Sequence, residues 1–199
     1  MFVKQINMNK FQELLNAFSI LVPSLTLLYV NNNYSLDIMA FITISFLHNV
    51  SSFTYHTLCY YDYFEDKINN NYRILDQSMI HVSCIIYSYV ISQNYYFSLF
   101  MLLLNINYIY RLWFCNDNAL NRRLNLCKCI ILYLLPIFIY GYYIYFFKAI
   151  LYILLFILSF HFNYLFYGYG HFISHLLLCP YVHVLYRFIL KNKLKSIIS

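Results

Sequence analysis

The sequence predicts an all-α fold, an integral membrane bundle of seven transmembrane helices, and three observations carry that prediction. Of 199 residues, 62% are hydrophobic and 10% charged, against roughly half and about a quarter in soluble domains. The apolar residues fall into runs long enough for a helix rising about 1.5 Å per residue to cross a hydrocarbon core of about 30 Å. The few charges gather in short polar patches between those runs, where a bilayer tolerates them. With only 3 Gly and 3 Pro there is no flexible linker, so 1–199 reads as one domain with a short polar tail over 1–12 and a basic tail over 191–199.

The opening "MFVKQINMNKFQE" is polar and leads into an apolar run, 14–30. The following "NNNYSLD" offers no small-residue cleavage site, so the run reads as an uncleaved first span. Three further runs, 38–60, 74–90 and 95–114, are each long enough to cross. After the polar patch "NDNALNRRLN", apolar sequence continues over 129–190, room for three more crossings. The break among them is expected near Lys148, where Gly141 and the lysine are the only punctuation. A single helix over 129–167 would be about 58 Å long, roughly twice the core thickness, so two crossings fit better. Eight Lys and Arg fall on the N-terminal side and five on the other, a narrow margin that favours a cytoplasmic N-terminus without fixing the orientation.

A net charge of +6 is modest, and its basic residues form clusters between apolar runs rather than a stripe with interleaved aromatics. That pattern excludes nucleic acid as a partner and points to membrane lipid, as substrate or ligand. The six cysteines, Cys59, Cys84, Cys115, Cys127, Cys129 and Cys179, include no CxxC pair. They read as small hydrophobes rather than a disulfide frame or a thiolate site.

Ionisable groups inside a bilayer are costly and therefore functional suspects. His56 lies near the end of the second span, Asp76 in the first turn of the third, and His171 and His175 in the first two turns of the seventh. In an alternating seven-span bundle these positions share one membrane side and one depth. Were 129–167 a single crossing, "HFISH" would face the other leaflet. His171 and His175 are i and i+4, so their imidazoles stack on one helical face; Ser52 and His56 repeat the spacing. Three neutral nitrogens, from His56, His171 and His175, leave a fourth position for water, the open coordination of catalytic Zn2+ sites. Water so bound has its pKa lowered to about 7. Asp76 is then placed to orient that water or take its proton, and Ser52 to hold the carboxylate or a developing oxyanion.

Each part has a plainer reading. H-x-x-x-H is a common pattern, Asp76 suits a helix N-terminus by its charge, and Ser52 suits helix packing. Their conjunction in one leaflet is what argues for a site. His48 reads as a support behind the ligands or a buried hydrogen-bonded histidine, and His81, His161 and His183 as packing or interfacial residues. Asp62, Glu65 and Asp66 read as a solvated acidic loop, and Arg111 beside Trp113 as a headgroup anchor.

In order and layout, "SFTYH", "LDQS" and "HFISH" resemble the CREST superfamily of seven-span membrane proteins, which joins alkaline ceramidases, progestin and adipoQ receptors, Per-one-like and myomaker-like proteins. The run "LVPSLTLLYV…FITISFLHNVSSFTYH" is most similar to the myomaker-like branch. The resemblance implies zinc held by His56, His171 and His175, with Asp76 and Ser52 completing the site, and in several branches hydrolysis of lipid amide or ester bonds. Of the acidic N-terminal calcium segment of alkaline ceramidases, Glu13 is the only candidate counterpart. The expected function is a multi-pass membrane zinc-dependent hydrolase acting on a lipid amide or ester by metal-bound water. The alternative is a non-enzymatic receptor-like or membrane-remodelling protein with a structural zinc. A third reading is bis-histidine haem ligation.

Overall fold

The computed structural model describes residues 9–31, 35–67, 69–115 and 118–198, and the side chains up to 193. Among them run seven α-helices: α1 Lys10–Val30, α2 Leu36–Tyr60, α3 Asn71–Ser92, α4 Tyr95–Phe114, α5 Ala119–Ile139, α6 Tyr143–His161 and α7 Gly170–Ile198. A short 3-10 turn, Asn163–Phe166, precedes α7. No strand occurs among the described residues. The helices α1 to α4, α6 and α7 are long and apolar enough to cross a membrane. The remaining one, α5, has 21 residues but carries Arg122, Arg123 and Lys128 in its first half.

Polar caps set several of these starts. Asn9 and Gln12 form a capping box on α1, with side-chain to backbone bonds of 2.8 and 3.0 Å, so the helix begins before the apolar run does. Asn118 caps α5 by accepting from the Asn121 amide at 2.8 Å. The patch "NDNALNRRLN", expected as a connection, therefore supplies the first turns of a helix. The break between α5 and α6 falls at Gly141 and not at Lys148, which lies inside α6. There the Tyr142 amide donates to the Ile137 carbonyl at 3.0 Å and the Gly141 amide to the Phe138 carbonyl at 2.9 Å, with Gly141 at φ +78°. This is a Schellman ending, and its left-handed position is one that glycine takes without a Cβ penalty. A lysine has no such effect on the backbone.

Helix α1 packs on α2 and α7, α2 on α3, α3 on α4 and α5, and α6 on α7 with a smaller contact on α5. The order α1–α2–α3–α5–α6–α7 thus closes into a ring, with α4 set against the outside of α3 and α5. Only 11% of the apolar window of α6 is buried, against 50% for α3, so α6 presents most of its surface outward. Phe41, Ile91, Met101, Leu134, Leu185 and Phe188 fill the interior. In lipid their contribution is close packing rather than removal from water.

Polar clasps join the helices inside this core. Asn49 Nδ2 donates to Ser24 Oγ at 2.7 Å, Ser45 and Tyr87 share a hydroxyl bond of 2.6 Å, and His81 Nδ1 meets Asn105 Oδ1 at 2.8 Å. Such bonds contribute about 0.6 kcal/mol each between membrane helices. All six cysteines are free thiols; Cys59, Cys84 and Cys129 are buried, Cys127 and Cys179 half-buried and Cys115 exposed.

Candidate metal centre

The end of α2 and the start of α7 meet beside the first turns of α1. His56 stands in the last turns of α2. His171 directly follows Gly170, the first residue of α7. A Cβ on Gly170 would lie 2.1 Å from the Ser159 carbonyl oxygen and 2.8 Å from Asn163 Cα, so glycine is what lets α7 begin this close to the end of α6. The His171 amide donates to Asn163 Oδ1 at 3.3 Å, and Gln12 Nε2 donates to the Tyr167 carbonyl at 3.2 Å. These bonds fix where α7 starts against α6 and α1.

His56, His171 and His175 converge there. One ligand atom from each lies within 4.8 Å of the others, and the ring centroids are 4.8, 5.5 and 4.6 Å apart. Zinc–nitrogen bonds of about 2.0–2.1 Å place the nitrogens of a tetrahedral site about 3.4 Å apart, so the rings close on an ion by small changes of side-chain torsion. All three are buried. They are the only group of metal-capable side chains of this kind among the described residues. Their mutual edge-on contact leaves no slab between two imidazoles for a haem macrocycle.

Helix α1 holds the back of two of the rings with acceptors and meets the third with an amide. His56 Nδ1 donates to Glu13 Oε2 at 2.9 Å, and His175 Nδ1 donates to the Asn16 carbonyl at 3.1 Å. Ser19 Oγ, whose own proton goes to that carbonyl, lies 3.0 Å from the same Nδ1. The Asn16 side-chain amide stands 3.5 Å from His171 Nδ1. A carboxylate and a carbonyl only accept, so Nδ1 carries the proton in His56 and His175, and the lone pair is on Nε2. His56 Nε2 is buried with no hydrogen-bond partner in the structure. Leaving a buried polar atom unpaired costs about 1–3 kcal/mol. A carboxylate or carbonyl behind a ligating imidazole, with the other nitrogen free, is the arrangement that orients histidines toward a metal. The donor set fits zinc.

Asp76 and Ser52 are both buried, at 4% exposure each. Asp76 Oδ2 accepts from Arg73 Nη1 at 3.1 Å, while its Oδ1 has no hydrogen-bond partner and lies 3.9 Å from His48 Nε2. The carboxylate is therefore held by Arg73 and faces His48, and it is not a member of the histidine group. Ser52 lies one turn before His56 on the same face of α2. His81 is the packing residue expected, bonded to Asn105. Asp62 forms ion pairs with Lys10 at 2.8 Å and Lys67 at 3.6 Å; the bond to Lys10, ahead of other effects, holds its carboxyl below the ordinary range.

Sequence reasoning missed Asn16, Ser19 and Arg73, and it noted Glu13 only as a counterpart of a calcium segment. The signal was present: in "KFQELLNAFSI" the polar residues Gln12, Glu13, Asn16 and Ser19 recur at three- and four-residue spacing inside an apolar run, one helical stripe. Starting the first span at Leu14 placed Glu13 outside the membrane and hid it.

No protein-family model, no curated protein and no solved structure matches the chain.

Proposed function

We propose that the protein is a seven-span membrane hydrolase that uses zinc to cleave an amide or ester bond of a lipid. One observation carries this reading: the imidazoles of His56, His171 and His175 converge, and α1 engages Nδ1 of His56 and of His175, leaving their Nε2 atoms for one ion. The resemblance of "SFTYH", "LDQS" and "HFISH" to the CREST pattern points the same way. The seventh crossing would be α5, whose basic first turns lie at the headgroups and whose apolar half, from Cys129, enters the bilayer.

His56, His171 and His175 would hold the metal. Bound zinc supplies a Lewis acid and makes water a nucleophile at neutral pH. Glu13 and the Asn16 carbonyl keep the His56 and His175 rings in the orientation that binding requires. Arg73 holds Asp76 at 3.1 Å, and Asp76 Oδ1, which has no hydrogen-bond partner and faces His48, would be the group that takes up a proton from the nucleophile. Ser52, one turn before His56, would supply a hydroxyl donor for the carbonyl oxygen of the substrate. The lipid enters between α5 and α6, the least tightly packed neighbours in the ring, where Phe160 of α6 lies 4.8 Å from the His171 ring.

A second reading, a non-enzymatic receptor-like or membrane-remodelling protein in which zinc only ties α2 to α7, is favoured by the engagement of Asp76 with Arg73 rather than with the imidazoles. Elemental analysis of purified wild type beside His171→Ala, with a screen of lipid amides and esters, separates them. The hydrolase reading expects near-stoichiometric zinc and turnover in the wild type, both lost in the variant. Zinc without turnover of any lipid leaves the structural role, and undiminished zinc in His171→Ala removes that histidine from the ligand set.

A further inference from the structure

Two arginines flank the histidine group in the same manner. The Arg73 guanidinium lies 5.0 Å over the Tyr55 ring, and that ring stands edge-on to His56 with centroids 5.0 Å apart. The Arg123 guanidinium lies 5.5 Å over the Phe160 ring, and that ring stands edge-on to His171 at 4.8 Å. Each cation is thus one aromatic ring away from one of the imidazoles, on helices α3 and α5 at the same end of the bundle. Arg73 is the third residue of α3 and Arg123 the fifth of α5, the depth at which spanning helices meet lipid phosphates.

Their charges are unequally matched. Arg73 has Asp76 beside it. Arg123 is exposed beside Phe160. An anion set beside the two cations would answer the charge that Arg123 presents at the Phe160 ring. Guanidinium favours phosphate oxygens, which it can bond in pairs.

We infer that Arg73 and Arg123 form a recognition site for the phosphate of an anionic lipid headgroup at the mouth of the histidine centre, between α3 and α5. This rests on the hydrolase reading and narrows its substrate class to anionic phospholipids, with the acyl linkage lying deeper than the phosphate, toward the imidazoles. Neutral lipid amides lack the group the two arginines would bind.

The test is binding of dioctanoyl-phosphatidylglycerol to the detergent-solubilised protein, with dioctanoyl-phosphatidylcholine and inorganic phosphate as the other titrants. We expect phosphatidylglycerol to bind preferentially and Arg123→Gln to raise its Kd by about tenfold, as for loss of one charge-assisted bond. Arg123→Lys should lose less, and Lys128→Gln, an exposed basic residue of the same helix, should change nothing. Equal binding of the two lipids, an unaffected Arg123→Gln, or an equal loss in Lys128→Gln overturns the site. Inorganic phosphate binding as tightly as the lipid overturns the headgroup as its occupant. Cobalt titration of the same samples separates this inference from the reading beneath it. Intact cobalt binding without lipid preference overturns the headgroup site alone, whereas absent cobalt binding with intact preference overturns the hydrolase.

Discussion

At the scale of single residues, Glu13 tests whether the histidines are arranged for a metal or merely packed. Its buried carboxylate accepts from His56 Nδ1 at 2.9 Å. Groups behind a ligand typically change metal affinity by about 10–100-fold. Glu13→Gln should therefore weaken cobalt binding by about that factor, read from the ligand-field absorption, with the helical content unchanged. Affinity equal to wild type would mean that the carboxylate serves the fold alone. The histidines themselves were legible because i, i+4 spacing in an apolar helix places two imidazoles on one face without further knowledge. Asn16 and Ser19 were not, because a small polar residue in a membrane helix is ordinary and only tertiary contact gives it a target. Arg73 was counted as one headgroup charge among eight because sequence does not show that its guanidinium turns inward to Asp76.

At the scale of elements, the site depends on where helices begin. Gly170 opens α7 in contact with the Ser159 carbonyl. Gly170→Ala adds a methyl group that backbone atoms must move to admit. The start of α7, and His171 with it, should shift, and cobalt affinity should fall although the side chain at 170 is no ligand. An unchanged cobalt spectrum in Gly170→Ala would contradict this coupling. The α5–α6 break was legible as a necessity, since one helix over that length would overrun the bilayer, and its position was misplaced because a lysine draws the eye more than a glycine. The glycine decides it, through a left-handed φ that closes two hydrogen bonds at the end of α5. The early start of α5 escaped for a related reason: Asn118 is a cap only once the chain is helical behind it.

At the scale of the whole molecule, the zinc reading implies that the bundle and the metal stabilise one another. The three imidazoles tie α2 to α7, and α1 braces both, so a metal that binds only the folded state raises stability by about 2.7 kcal/mol at one hundred times its Kd. Zinc should raise the thermal midpoint of the detergent-solubilised wild type and leave His171→Ala unmoved; an equal rise in both would place the stabilising ion elsewhere. Seven crossings put the two termini on opposite sides of the membrane, whereas six put them on the same side. Reporter fusions at 1 and 199 distinguish these, and same-side termini would mean that α5 does not cross. The ring order, with α4 outside, was not legible, because amphipathicity is faint when most faces are apolar and only packing distinguishes them.

The most direct measurement is X-ray absorption at the zinc edge of the purified protein. The account expects three imidazole nitrogens at about 2.0–2.1 Å and one oxygen, reduced in His56→Ala as in His175→Ala. Sulfur scattering at about 2.3 Å, or a spectrum indifferent to the loss of His56, would show that α2 and α7 do not share an ion.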